Sequence, residues 1–326
     1  MSYIPRAGAE ALMPEEYQRE IIQEVTQMST IMSMGYKAPD MARGQRRLPI
    51  LSVLPTAYFV NPGPQDRGDI GFKKTSRVMW ENKYIDAEEL AVIVAIPEAV
   101  LDDSDYDIWA EVKPKLLEAY GIAFDMAVLY GTNAPAVWPT SIVTAATAAG
   151  HLIVDDGSTS NDLYDKIMSQ DGLLSKIEED GFDNSGFIGH LRMKARLRGL
   201  RDANGLPIFK SIYKEGMQGG TLYNLDGESI MFPKNGAIDP DRSLMIAGDW
   251  SKLMYAMRKD ITWKLLTEAV IQDPTTGEIL YNLAQQNMVA LRSCMRLGWQ
   301  VPNPINRVNE DDTTRYPFSV FGPAGS

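Results

Sequence analysis

Leu90-Ala91-Val92-Ile93-Val94-Ala95-Ile96-Pro97 is an unbroken apolar run that stops at a proline. Such a run predicts a strand buried on both faces. Asp102-Asp103-Ser104-Asp105 follows, supplying N-cap residues and negative charge where a helix begins. Ile108, Val112, Leu116, Ala119, Ala123, Met126 and Tyr130 then recur at steps of three and four, one apolar stripe along a helix. Gly131 stands where a helix terminates. From Asp105 to Tyr130 the helix would run ~39 Å at about 1.5 Å per residue. Pro114 lies inside it and should bend it or break its first turns, because proline lacks the N–H and crowds the carbonyl four residues back. A strand feeding one long helix is therefore the frame on which the rest hangs.

Upstream, Pro14 to Met34 reads as an amphipathic helix with Tyr17, Ile21, Val25, Met28 and Met32 on one stripe, closed by Gly35. It either packs on its own domain or docks on a neighbouring subunit. Gly44-Gln45-Arg46-Arg47 is a short basic linker. Leu48 to Val60 is extended and carries Pro49 and Pro55, which argues for an edge or an arm. Residues 61–68 are dense turn chemistry, and Phe72 to Ala87 is a second extended arm with Val78, Trp80 and Tyr84 on one face and Lys74 among the others. Together they predict a hairpin. Ile70 to Ala87 fully extended spans ~56 Å at roughly 3.3 Å per residue, against a radius of gyration near ~20 Å for a compact domain of this length. A two-stranded hairpin alone in water is marginal. Trp80, Tyr84 and Phe72 thus need a partner surface, and a second copy of the chain is the simplest supplier; the alternative is a hairpin folded back on its own body, as long loops often are.

After Gly131 the pattern changes. Residues 132–150 read as a loop, 162–179 as a helix, Gly186 to His190 as a buried strand, and Leu191 to Leu200 as a basic helix. Strands fit 221–225, 229–232 and 243–247, which makes a second mixed domain. Asp260 to Ile271 is strand-like, residues 273–278 form a tight turn, and Asn287 to Arg296 is ambiguous between strand and helix. This last segment is expected to return to the long helix and close the first domain's sheet.

The 326 residues hold 44% hydrophobic and 23% charged side chains, ordinary for a globular protein with a real core. The net charge of −11 argues against sequence-specific nucleic-acid binding, which relies on the opposite sign. The single cysteine, Cys294, excludes an intrachain disulfide and fits a reducing compartment. No stretch reads as a secretory signal or reaches membrane-spanning length.

Catalytic signatures are lacking in the sequence. There is no phosphate-cradling Gly-x-x-x-x-Gly-Lys loop and no Gly-x-Ser-x-Gly elbow. His151 stands near Asp155 and Asp156 and reads as a solvated loop histidine, since a metal site needs three or four converging ligands. His190 reads as a hydrogen-bonded core histidine and Cys294 as a small buried hydrophobe. Arg192, Lys194, Arg196 and Arg198 form a basic stripe. It is either a solvent-facing side that offsets the acidic excess, or an intersubunit ion-pair surface or lining toward packaged nucleic acid.

The order of these pieces resembles the tailed-phage major capsid protein family, whose fold is that of the Hong Kong phage capsid. The resemblance runs from about Leu48 to Phe321. It is carried by Ala87–Glu98, by Asp103-Ser104 with Asp125–Gly131, by Leu200–Pro207, by Gly248-Asp249-Trp250-Ser251 and by Ala290–Gly298. It implies an α+β fold with a long spine helix, an extended β-hairpin loop, a peripheral domain and an axial domain. On that frame the chain divides into an N-terminal arm (1–47), the hairpin loop (48–89), the peripheral domain with the spine helix (90–130), the axial domain (131–255), a return to the peripheral domain (256–310) and a C-terminal tail (311–326). The spine's core side would be Ile108, Val112, Leu116, Ala123 and Met126, and the intersubunit residues Phe72, Lys74, Val78, Trp80, Tyr84, Arg192 and Arg196.

The implied role is structural, with no enzyme activity, cofactor or metal. Copies would form hexamers and pentamers of an icosahedral shell around double-stranded DNA, assembled in the host cytoplasm and ending in the virion. Portal, scaffolding or decoration proteins are the further partners implied. Many relatives carry a cleaved scaffolding segment of about a hundred residues, which is not expected here. Lys73, Lys74 and Lys83, with Asn282 and Asn287, do not align to the lysine–asparagine crosslink of some relatives. Two alternatives remain at this point: an encapsulin-like cellular compartment, and a monomeric α/β enzyme with a pocket near His151 and His190.

Overall fold

The structure, a computed structural model, describes residues 29–58, 73, 75–104, 107–157, 160–200, 206, 209–213, 221–273 and 275–323. The expectations for Pro14–Met28, the hairpin tip, Phe72, Lys74, Asp105 and residues 201–205 lie outside them. In chain order the first elements are α1 (Thr30–Met34), β1 (Tyr36–Lys37), β2 (Gln45–Val53), β3 (Met79–Asp86), β4 (Glu88–Pro97), α2 (Glu98–Asp102), α3 (Ile108–Tyr130) and α4 (Ile142–Ala148). Then come β5 (Leu152–Val154), α5 (Ser160–Met168), α6 (Leu173–Glu179), β6 (Gly186–Gly189), α7 (Leu191–Arg198), β7 (Lys210–Tyr213), β8 (Thr221–Leu225), β9 (Glu228–Met231) and β10 (Met245–Gly248). The chain ends with β11 (Met254–Leu266), β12 (Val270–Gln272), β13 (Ile279–Asn282), α8 (Leu283–Gln286), β14 (Met288–Gln300) and β15 (Phe318–Gly322).

Four sheets result. One runs β1-β11-β14-β4, one runs β5-β15-β10-β6-β9-β8-β7, and β12-β13 and β2-β3 form separate two-stranded ribbons. Two compact units emerge. One holds Ile93–Leu117 and Leu265–Leu291; the other holds residues 29–92, 118–264 and 292–323 of those described.

Several expectations change. The Leu90–Ile96 run is not buried on both faces: β4 is an edge strand that alternates half-buried and exposed, and Ile93 is 44% exposed. An apolar run marks surface that requires cover without saying which chain supplies it. The long helix starts at Ile108, with Asp107 Oδ1 accepting from the Ala110 N–H at 3.2 Å; Asp103 closes the separate short α2 instead. Pro114 leaves the helix unbroken from Ile108 to Tyr130. Seven residues in, only one carbonyl partner is lost, and packing further along carries the rest.

The spine's core side is also shifted. Leu116, Tyr120, Phe124 and Val128 are buried, four residues apart, whereas Ile108, Val112, Ala123 and Met126 are only half-buried. The helix is apolar on more than one face here, so spacing alone placed Leu116 and Tyr130 in the core and missed Tyr120, Phe124 and Val128.

Residues 132–150, expected as a loop, contain α4, whose Ile142, Val143 and Ala146 enter the main core. Residues 311–326, expected as a tail, contain β15. Phe318–Gly322 is buried throughout, pairs antiparallel with β10 and parallel with β5, and so sits inside the seven-stranded sheet. The arm's residues 36–37 pair with β11, so that part belongs to the body. Asn287–Arg296 resolves as strand β14; Asn287 itself turns the chain at φ 49°. An asparagine tolerates that left-handed position better than most residues.

Candidate assembly surface

β2 and β3 pair antiparallel from Gln45↔Asp86 to Val53↔Met79, with an irregularity between Leu51 and Val53. A free-standing ribbon has an outer edge on each strand, which is where Pro49 can sit without a missing ladder bond. The root is pinned. Ile85 is fully buried with Ala38, Met41 and Ala256, and half-buried Leu48 packs against them. Gln300 Nε2 donates to the Tyr84 carbonyl at 3.0 Å, and Gly298 is required there because a Cβ would stand 2.2 Å from the Asp86 carbonyl oxygen. Farther out the ribbon is also held on its own chain: the Ile305 N–H donates to the carbonyl of Leu51, the register partner of Trp80, at 3.3 Å, and Arg307 donates to the Pro55 carbonyl.

Side chains alternate across the ribbon. Ile85, Lys83 and Glu81 turn one way and only Ile85 of these is buried; Trp80, Asn82 and Tyr84 turn the other way and are all exposed. Trp80 is 70% exposed and Tyr84 40%. Val78 precedes the paired strand and is half-buried. Trp80 and Tyr84 therefore share an uncovered face as the spacing predicts, and Val78 does not extend it as a strand residue.

The basic helix α7 divides its cations. Arg196 grips Asp155 of its own chain through both guanidinium nitrogens, one at 3.1 Å, and holds that carboxyl below the usual range. Lys194 lies 4.1 Å from the Tyr223 ring centre. Arg192 is exposed. Arg196 is thus committed to its own subunit, a correction to its reading as an intersubunit residue; its carboxylate partner lies 41 residues away, beyond the reach of a local pattern.

His151 is not solvated. It is 4% exposed, its Nδ1 lies 3.0 Å from the Phe318 carbonyl and its Nε2 3.2 Å from Asp180. Asp180 in turn accepts from the Tyr316 N–H at 2.7 Å and from Asn309 Nδ2 at 2.7 Å. This network ties the C-terminal segment down beside β15; Asp155 and Asp156 take no part. His190 caps α7 by accepting from the Arg192 N–H at 3.1 Å, and burial lowers its pKa. Cys294 is half-buried, and burial raises its thiol pKa. Among the described residues no group of three or more His, Cys, Asp or Glu could hold a metal ion, and no helix is long and apolar enough to cross a membrane.

Sequence reasoning missed Asp125. It sits on the spine helix, 0% exposed, and caps α1 across 95 residues. It accepts from the Thr30 N–H at 2.8 Å, the Ile31 N–H at 3.3 Å and the Ser29 hydroxyl. Burial pushes its carboxyl up to about 6, against the donors that pull it down. A lone acid in an otherwise apolar half-helix, Phe124-Asp125-Met126-Ala127-Val128-Leu129, was the available signal.

Beside the spine's half-buried face lies a cavity of about 410 Å³. Leu90, Ala119, Ile122, Ala123, Met126 and Trp138 line it, with Glu88, Glu89 and Asn133 among the polar wall residues. Glu89 pairs with Arg296 at 3.1 Å.

The phage capsid family pattern matches residues 9–306, most of the chain. The chain belongs to the phage capsid family. A curated phage capsid relative, the major capsid protein of Staphylococcus phage 80alpha, is 26% identical over 288 residues, covering 88% of this chain and 80% of that one. A solved chain of Microbacterium phage Oxtober96 is 33% identical with a TM-score of 0.79, covering 99% of this chain and 100% of its own. One of Mycobacterium phage Adephagia is 28% identical, also at 0.79, covering 100% and 99%. The phage capsid fold, with mixed helices and strands, and the role of a tailed-phage major capsid protein follow. The family and its relatives are structural proteins, and the cellular-compartment alternative is not favoured.

Proposed function

We propose that copies of this chain close into an icosahedral shell of hexamers and pentamers around double-stranded DNA, with the β2–β3 ribbon lying on a neighbouring copy. One observation carries this reading: the ribbon's outer face holds Trp80 at 70% exposure on a strand pair that cannot stand alone in water. Trp80 and Tyr84 together make an exposed aromatic surface on one face of the ribbon, and a contiguous apolar patch is what marks a contact site. The net charge of −11 supports a container that does not adhere to the phosphates it encloses. Exposed Arg192 is a second contact to a neighbour. Assembly takes place in the host cytoplasm, and portal, scaffolding or decoration proteins join the same shell.

Electron microscopy of the purified protein tests this reading. Closed particles are expected. A species that stays monomeric at high concentration, with Trp80 protected on its own chain, would overturn it.

A further inference from the structure

Among the described residues, two apolar surfaces of the larger unit stand open: the ribbon's outer face and the cavity beside the spine helix. Resting on the shell reading above, we propose that the cavity floored by Ala119, Ile122, Ala123 and Met126 receives the Trp80 indole of a second copy, steered there by opposite charge.

Charge separation along the chain supports this pairing. Residues 43–86, the ribbon with its connections, carry eight Lys and Arg against four Asp and Glu, net +4. Within the larger unit, the strand and helix stretches that wall the cavity, residues 87–92 and 118–125, carry four acids, Glu88, Glu89, Glu118 and Asp125, and no Lys or Arg. A cationic ribbon and an acidic cavity wall are complementary between copies, and such complementarity sets encounter rate and register.

The shapes agree too. The cavity, at about 410 Å³, lies in the range that accepts a whole small ligand. Its floor is aliphatic, and its wall offers Glu88 and Asn133 as acceptors for an indole N–H, which normally finds a partner when buried. The chain's own Trp80 does not fill it: that ring is exposed, and the ribbon is fixed on its own body by Ile85 and Gln300 at the root and by Ile305 opposite Trp80. Trp80 shares its face with Asn82 and, two steps nearer the root, with the directly opposed pair Arg47 and Tyr84. The occupant would therefore bring an aromatic anchor on a cationic ribbon to an apolar cleft whose wall carries Glu88 and Glu89.

A crosslink tests the contact. Two full-length variants in a Cys294→Ser background are co-expressed, one with Asn82→Cys on the ribbon face beside Trp80, the other with Asn133→Cys at the cavity wall. Particles are purified, oxidised and run under non-reducing conditions. A disulfide-linked dimer from the mixture, absent from either variant alone, is expected. Particles that form without that dimer would overturn this inference and leave the shell reading intact, with the N-terminal segment or another partner as the cavity's occupant. Failure of the wild-type chain to form any particle would remove both. Ala123→Trp provides a second reading: filling the cavity should cut particle yield about tenfold or more, the scale of one lost hot spot. Normal yield would count against the contact. Should Ala123→Trp fail to fold, Glu88→Lys replaces it. About tenfold slower assembly at low salt is then expected, and an unchanged rate would overturn the steering.

Discussion

The ribbon and the seven-stranded sheet are built from the same kinds of residue and treat them in opposite ways. In the sheet, β6, β10 and β15 are buried along their whole length, and even Ser319 is enclosed, donating to the Leu173 carbonyl at 2.7 Å. In the ribbon, Trp80, Tyr84 and Met79 face outward while only Ile85 is enclosed. The sheet is finished by its own chain, down to its last strand. The ribbon is held on its own chain at its root and through Leu51 and Pro55, and leaves the Trp80 face open. A subunit whose most exposed large aromatic among the described residues lies on a firmly anchored strand pair is shaped for completion by a neighbour, as suits a member of a capsid family.

The largest effect should come from the finished region. Phe318→Ala removes a fully buried ring that packs edge-on to Trp250 at 5.0 Å between centroids, and should destabilise the subunit by about 3–5 kcal/mol in denaturant unfolding. A loss below about 1 kcal/mol would mean that the last strand is dispensable to the sheet and would erase the contrast.

Asp125 comes next and sharpens the comparison, because it pins the start of α1 within the enclosed region. Its folded pKa of about 6 lies above its unfolded value of 3.8, so the folded state binds the proton more tightly. Stability from this group is therefore present at pH below 4 and is lost as pH rises through 6, by up to about 3 kcal/mol at roughly 1.4 kcal/mol per unit. Asp125→Asn should flatten that slope between pH 4 and 7 in melts of the unassembled subunit. A slope identical to wild type would show that other groups carry it.

Arg196→Ala should cost less, about 1–2 kcal/mol, since the Arg196–Asp155 pair is partly solvated. Asp155 is held below its ordinary value, so the pair's stabilisation is present at neutral pH and lost as pH falls through that depressed pKa. If Arg196→Ala spares subunit stability and abolishes particles, α7 belongs with the ribbon as a surface for neighbours.

Trp80→Ala should have the smallest effect on the subunit, within about 0.5 kcal/mol, because the ring is mostly in water. Its effect should appear in assembly, where a lost aromatic anchor costs about 2 kcal/mol or more per contact. Light scattering for assembly and denaturant unfolding for the subunit separate the two. A subunit that loses several kcal/mol while still forming particles would place Trp80 in an internal core and reverse the comparison.

Much of this was legible in the residues and some was not, for identifiable reasons. The spine helix, the hairpin and β6, β8 and β9 were readable because their signals are local: periodicity, prolines and glycines, and β-branched runs. The stripe on the spine was misread because Tyr120, Phe124 and Val128 compete with Ala119, Ala123 and Met126 for the core, and only packing partners decide between them. β15 was taken for a tail because five residues after a long polar stretch have no periodicity to show. His151 reads from the sequence as a solvated loop histidine, whereas its partner Asp180 is distant in sequence and adjacent only once α6 is in place.

The sequence by itself determined that a strand feeds a long helix, that a paired ribbon precedes them, and that no intrachain disulfide can form with one cysteine. These follow from short-range sterics, apolar spacing and composition, which need no knowledge of the final contacts. Only the tertiary structure decided which spine face is enclosed, that the chain's last strand completes an internal sheet, and that Arg196 and Asp125 act within their own subunit. Burial and ion pairing depend on residues some 40 to 100 positions apart, and only packing in three dimensions brings such residues together.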